Sequence, residues 1–348
     1  MNLKYYDWQS IFSYDAPITM VVGARGMGKT FGLRLALFRK WVKTGATWVE
    51  VCRSKADISA IREGYFSKLP EAYPHIADYQ QSVKNDCLYF RLDKNQEWKP
   101  IVYFTSLNSM RVAKQMTFYK VKSVVMDEAI IDRSLDKTSR YHKAEWDVLA
   151  NLVQTVTRQT TLDDPPKLYL MANAVDFNNP YFYKIGLKNP PSYGRHWYMH
   201  KSFLLDFVKP SDDYKTFTNK TLAGIMLEGS EAAKRNISND FRVDDSYLIK
   251  SKPKGLSYMY TLKYDNMLFH IYQDSDDDIY ITDEYKLKHR QYVYTLHSQG
   301  KGAHMVTIKK ASPMIKNIIE LTAYNQAWFS SPAVREAFYA ACDRIGYR

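Results

Sequence analysis

Apolar and polar positions along the chain fall into two regimes. Through residue 198, short β-branched and aromatic runs alternate with longer stretches whose apolar residues recur at helical spacing. That is the pattern of strands and crossover helices in an open α/β sheet. Residues 18–22, 47–52, 88–92, 101–106, 121–128 and 167–172 read as strands. After the first of them, Leu33, Leu35, Ala36, Leu37, Trp41 and Val42 form one broad apolar helix face, which Gly45 can end. Trp146, Leu149, Leu152, Val153 and Val156 repeat the pattern later. The periodicity weakens over 199–245, a lysine-rich stretch with local helical character at 222–235, read as a linker or small subdomain. From Ser246 the chain alternates in the manner of strands through SYLIKS, LSYMYTLKY, MLFHIYQ and DIYITDEY, and it ends in two helical patterns, 314–323 and 333–345. The expected domains are 1–198, a linker at 199–245, and an α+β domain at 246–348.

Composition narrows the partners more than the fold. The 348 residues suffice for two domains that each bury a core. With 28 Tyr and 25% charged residues the chain is of globular type. A formal charge of +12 favours a polyanionic partner, nucleic acid first and an anionic membrane surface second, against a basic surface kept for solubility. Cys52, Cys87 and Cys342 are far apart and form no C-x-x-C pair, which argues against a disulfide framework or a zinc site and for a reducing compartment. The amino terminus has no apolar leader core, and no run approaches the roughly 20 apolar residues that span a bilayer, so a soluble intracellular protein without membrane partners is expected.

The sharpest chemical signal is ITMVVGARGMGKT, residues 18–30. A strand feeds a glycine-rich turn and then a helix, the context of a phosphate-binding P-loop. Gly23, Ala24, Arg25, Gly26, Met27, Gly28, Lys29 and Thr30 complete G-x-x-x-x-G-K-[ST]. Glycines let the backbone N–H groups wrap phosphates, the helix N-terminus adds partial positive charge, Lys29 reaches the terminal phosphates of ATP, and Thr30 can ligate Mg²⁺. About 100 residues on, VKSVVMDE offers Asp127 as the metal residue and Glu128 to polarise a water. Adjacent positions on a strand face opposite sides, so the two carboxylates can divide those roles. A glutamate beside the metal aspartate marks the additional-strand, catalytic-glutamate class of P-loop ATPases. Arg53, at a strand end, reads as a surface ion pair or an approach to nucleotide. The segment 108–120 carries Arg111, Lys114 and Lys120 without an acid, either a solvated loop or a contact to phosphates. Arg158, at a helix end, is a solvated charge or, as in ring ATPases, a guanidinium sent into a neighbour's site. Asn173, at a strand end, either caps a turn or senses the γ-phosphate.

Taken together, GARGMGKT, VVMDE, the helix ending at Arg158 and the string ANAVDFNNPYF at 172–182 resemble the DNA-packaging ATPases of phi29-like tailed phages, motors related to terminase large subunits. The resemblance runs over nearly the whole chain. It implies that Lys29 and Thr30 contact phosphate and Mg²⁺, that Asp127 binds the metal, and that Glu128 is the catalytic glutamate. It further implies that Arg158 is a finger acting in trans, that Lys114 is a second basic residue of the subunit interface, and that Asn173 couples hydrolysis to motion. Its wider implications are a homo-oligomeric ring, a pentamer, at the portal vertex of a prohead in the host cytoplasm. There it would act on double-stranded DNA with a prohead RNA, through a second domain like a vestigial ribonuclease-H nuclease. The first long strand of that domain, 256–264, has no Asp or Glu, so an inactive nuclease is expected. Competing readings are a helicase or cellular DNA pump, a nucleotide-gated nucleic-acid adaptor, and a cleaving terminase.

Overall fold

The computed structural model describes residues 6–62, 64–67, 73–109, 113–114, 116–132, 140–142, 144–158, 164–187, 190–241, 248–284, 293–295, 305–306 and 308–344. The chain divides into two compact units, the first made of 1–137, 145–177 and 190–242, the second of 138–144, 178–189 and 243–348.

The first unit is built on a nine-stranded sheet. Its strands are β1 (Ile18–Val22), β2 (Thr47–Cys52), β3 (Gln80–Lys84), β4 (Cys87–Arg91), β5 (Lys99–Ser106), β6 (Val121–Met126), β7 (Lys167–Ala172), β8 (Gly194–Tyr198) and β9 (Phe203–Phe207). In space the order is β3-β4-β5-β2-β6-β7-β1-β9-β8. The strands from β5 through β9 in that order are mutually parallel, while β4 and the edge strand β8 run antiparallel to them and the edge strand β3 runs antiparallel to β4. Central strands buried on both faces account for the near-continuous apolar runs that the sequence shows at β1, β6 and β7. The decisive point is that β7 lies between the P-loop strand β1 and the Asp127 strand β6, the inserted strand of the additional-strand class.

Helices α1 (Trp8–Phe12), α2 (Lys29–Thr44), α3 (Lys55–Arg62) and α4 (Glu145–Thr157) belong to this unit. Gly45 ends α2 in the left-handed conformation, φ 70°, with its N–H on the Trp41 carbonyl. The apolar face of α2 packs on the sheet through aromatic rings. Phe38 alone lies 5.7–5.9 Å, centroid to centroid, from Trp41, Phe66, Tyr73, Tyr79 and Phe90.

One difference from the sequence reading concerns 199–245, expected as a linker or small subdomain. Phe203–Phe207 is a fully buried strand hydrogen-bonded in parallel to β1. The helices that follow, α5 (Asp212–Asn219), α6 (Leu222–Leu227) and α7 (Glu231–Ser238), belong to the same unit. Four apolar positions interrupted by one Asp carried no alternation by which to recognise a central strand.

The second unit holds a six-stranded sheet of β10 (Ser257–Tyr264), β11 (Met267–Gln273), β12 (Ile279–Thr282), β13 (Val293–Thr295), β14 (Met305–Val306) and β15 (Ala327–Phe329), in the order β14-β13-β10-β11-β12-β15. An antiparallel meander β10-β11-β12 continues into β13 and β14 parallel to β10, which is the ribonuclease-H-like arrangement. Helices α8 (Ile308–Ala323) and α9 (Pro332–Arg344) supply Ile315, Ile318, Val334 and Phe338 to a core with Leu262, Phe269, Ile271 and Phe329. The SYLIKS segment, expected as a strand, contributes among the described residues a single bridge, Ile249 to Phe329.

Candidate active site

β1 delivers the chain into the loop from a buried position, and the sheet continues for one residue past it: the Gly23 N–H donates to the Ala172 carbonyl at 3.1 Å. Gly26 and Gly28 then take φ of 85° and 74°, a region in which a side chain is strained, and Gly28 caps α2. A Cβ on Gly23 would stand 3.2 Å from Lys29 Cδ, so this position keeps room for the lysine stem. Ala24 is buried, while Arg25 and Gly26 are exposed and Met27 is half-buried at the rim.

Lys29 is buried at the first position of α2. Its ammonium donates to the carbonyls of Gly23 at 2.7 Å and Ala24 at 2.9 Å and to Asn173 Oδ1 at 3.1 Å. All three N–H bonds of the ammonium are therefore engaged. Burial pulls its pKa down to about 8, against the opposing pull of Asp127. Thr30 Oγ1 donates to Asp127 Oδ2 at 2.6 Å, joining the two residues assigned to a metal. A hydroxyl and a carboxylate at that spacing form an all-oxygen donor set suited to a hard divalent cation such as Mg²⁺.

β6 stops at Met126, so Asp127 and Glu128 lie in the turn beyond it. Glu128 is exposed with φ 51°, its N–H donates to Asp127 Oδ1 at 2.9 Å, and Ala129 rejoins the sheet through the Met171 carbonyl at 2.8 Å. Strand alternation is thus not what separates the two carboxylates. A left-handed turn does so, leaving Asp127 on Thr30 and Glu128 in solvent.

Arg53 is an ion pair, but not on the surface. It holds the fully buried Glu145 at 3.0 Å and donates to the carbonyls of Glu128, at 2.7 Å, and Ala129. The guanidinium thus holds the Asp127–Glu128 turn through its backbone carbonyls. A second buried pair stands deeper: Arg34, one turn along α2 from Thr30, meets Glu50 at 3.1 Å, and Tyr65 donates to the same carboxylate at 2.5 Å. Burial pushes the Glu50 carboxyl up, opposed by Arg34.

Several residues that support the loop escaped the sequence reading. Trp8 Nε1 donates to the Lys29 carbonyl at 2.8 Å, the Tyr6 N–H to the Met27 carbonyl at 3.1 Å, and the Tyr214 hydroxyl to the Arg25 carbonyl. Asn239, buried with φ 59°, donates to the Val22 and Val208 carbonyls at 3.2 and 2.9 Å. These contacts join residues up to about 220 positions apart, and nothing local in the sequence marks them.

Asn173, at the end of β7, is brought to Lys29. Arg158 is not brought to this site. α4 runs 13 residues, about 20 Å, from Glu145, which pairs with Arg53 beside the Asp127–Glu128 turn. At the start of β6, Lys122 meets Asp164 at 3.0 Å. Arg158 is exposed and has no bonding partner among the described residues. The same holds for Lys114, and Arg111 lies outside the described residues.

A profile of the podovirus DNA encapsidation protein family (Gp16) matches residues 2–332. The DNA packaging protein of Bacillus phage B103 is 23% identical over 331 residues, covering 94% of this chain and 97% of that one. That of Bacillus phage phi29 is 24% identical over 304 residues, covering 87% and 86%. A chain of the bacteriophage phi29 viral genome packaging motor assembly superposes with a TM-score of 0.55 at 20% identity, over 98% of this chain and 99% of that one.

Proposed function

The chain belongs to the podovirus DNA encapsidation protein family, and from that premise we propose that it is an ATP-driven motor that moves double-stranded DNA into a prohead. The observation that carries this reading is the convergence of Lys29, Thr30, Asp127 and Asn173 where β7 intervenes between β1 and β6.

In this mechanism the amides of Gly26, Met27, Gly28 and Lys29 hold the phosphates and the Lys29 ammonium turns from its own loop carbonyls to the terminal phosphates. Mg²⁺ held by Thr30 and Asp127 would supply further charge neutralisation at those phosphates. Glu128, free in solvent on its turn, holds the attacking water. Arg158 acts in trans. Its exposure, with no bonding partner among the described residues, is what supports this role. Lys114, exposed in the same unit, serves as a second cation at that interface. Asn173 loses or gains Lys29 as the phosphates come and go, and the string from Ala172 to Phe182 carries the change from the first unit into the second. We take the working form to be a homo-oligomeric ring, a pentamer, seated at the portal with a prohead RNA in the host cytoplasm. Among the described residues no helix is long and apolar enough to cross a membrane.

We assign no nuclease activity to the second unit. β10 carries no acid, and at its centre Thr261 Oγ1 lies 2.8 Å from His270 Nδ1, a neutral polar pair where a nuclease would begin its carboxylate set. Nicking of supercoiled plasmid by the pure protein with Mn²⁺ would overturn this assignment.

The test of the motor is the ATPase rate against protein concentration, with and without duplex DNA, for the wild type, Arg158→Ala and Glu128→Gln. Each variant alone should fall by about 10²-fold or more. Mixing them should restore turnover, because a Glu128→Gln subunit still lends Arg158 to a neighbour with an intact glutamate. A wild-type rate in Arg158→Ala would refute the trans role, and a rate indifferent to DNA and concentration would refute the motor.

A further inference from the structure

The edge of the first unit carries a groove that the ATPase does not use. A cavity of about 440 Å³ elsewhere in the unit is lined by residues of α1, α2, β6 and β7, and its cations Arg39, Lys40, Lys43 and Lys167 stand beside a buried Tyr169 and a half-buried Phe12, so neither of its rings is exposed. The edge groove differs. It encloses about 590 Å³ between the end of α2, the 92–98 loop, the start of β5 and the residues entering β6. Trp41 and Phe90 form its floor, with Trp41 Nε1 donating to the Pro100 carbonyl at 2.9 Å. On its rim stand Trp98, 37% exposed, and Tyr119, 55% exposed. Each ring carries a cation: the Arg91 guanidinium lies 4.3 Å from the Trp98 centroid, and Lys120 Nζ lies 5.4 Å from that of Tyr119. Lys99 adds a third charge, against a single acid, Glu97. Arg91 is built in rather than free: its Nε donates to Gln80 Oε1 at 2.9 Å and its Nη1 to the Lys94 carbonyl at 3.2 Å.

We propose that this groove binds single-stranded nucleic acid, with unpaired bases stacked on Trp98 and Tyr119 and the flanking phosphates on Arg91, Lys99 and Lys120. Large aromatic rings left in water on a polar rim are a cost unless a flat partner covers them, and their interleaved cations select an anionic one. A duplex hides its base faces and would engage the cations alone, leaving both rings idle. An acidic peptide would satisfy the cations but not the paired platforms. RNA and DNA share the stacking chemistry, and the experiment separates them.

The test is fluorescence anisotropy of labelled 12-nucleotide oligo(U) and oligo(dT), with a mixed-sequence duplex as the third probe. The wild type is compared with Trp98→Ala/Tyr119→Ala and with Trp98→Phe/Tyr119→Phe. The alanine pair should lose about tenfold or more in affinity for the single strands and stay within twofold for the duplex, while the phenylalanine pair retains most of the affinity. Preference for oligo(U) would identify RNA as the occupant and preference for oligo(dT) would identify DNA. The substitutions lie away from the P-loop, so an unchanged ATPase rate certifies the fold. Equal loss on single strands and duplex, or no loss on single strands, would overturn the proposal.

Discussion

At the scale of single residues, Lys29 sets the most direct test. Its ammonium pKa is about 8 in the buried site, below the ordinary 10.5. A polyphosphate brought against it favours the charged form and raises the value again. At pH 8 about half of the free sites lack the proton, so nucleotide binding should take up about half a proton. At pH 6.5 it should take up almost none. Titration calorimetry in buffers of different ionisation enthalpy measures this, and no uptake at pH 8 would contradict the buried-lysine geometry. Arg53→Ala should cost about 3 kcal/mol or more in unfolding free energy, because Glu145 stays buried without its guanidinium. Denaturant unfolding reads that loss, and an unchanged midpoint would show the pair to be incidental. The residues brought together around Lys29 and Thr30 were legible because Gly23 to Thr30, Asp127 and Asn173 each sit in a contiguous run whose local chemistry singles them out. Glu145 was not legible, because an acid in the first turn of a helix looks the same whether it faces water or is buried against an arginine 92 positions away.

At the scale of elements, α1 is held on α2 by close approach rather than by a broad interface. Gly32 presents no side chain, and a Cβ there would stand 3.0 Å from Trp8 Cδ1 and 3.2 Å from the Tyr6 carbonyl oxygen. Gly32→Ala gains roughly 1 kcal/mol of helix propensity. It also forces apart a buried indole and a backbone carbonyl, at about 1–3 kcal/mol. Neither neighbour can yield easily, since Trp8 Nε1 is bonded to the Lys29 carbonyl. The net should be a lower melting temperature and a higher KM for ATP. A higher melting temperature would mean that α1 moves freely. Periodicity made α2, α4, β2 and β7 readable, and the latter two match their expected bounds. β9 and the Asp127–Glu128 turn were not readable, because a buried central strand has no alternation and a left-handed residue other than glycine has no sequence mark.

At the scale of the whole molecule, a net charge of +12 makes DNA binding a matter of counterion release. If six to ten phosphates are contacted, duplex affinity should fall about 10³- to 10⁵-fold between 50 and 200 mM salt. Nucleotide affinity in the absence of DNA should change little over that range. A flat salt response for the duplex would exclude grip on the backbone. The ribonuclease-H-like strand order of the second unit was legible only as a family expectation, because alternating strands fix neither order nor direction. Lys29 has a further consequence for the assembled motor. An ammonium that can return to two carbonyls and an amide oxygen lowers the barrier to departure of spent nucleotide, since each contact given up is replaced at once. Residence time shortens along with affinity. In a machine that must empty every site before its next stroke, the speed of the cycle is set as much by where this lysine goes afterwards as by what it does during hydrolysis.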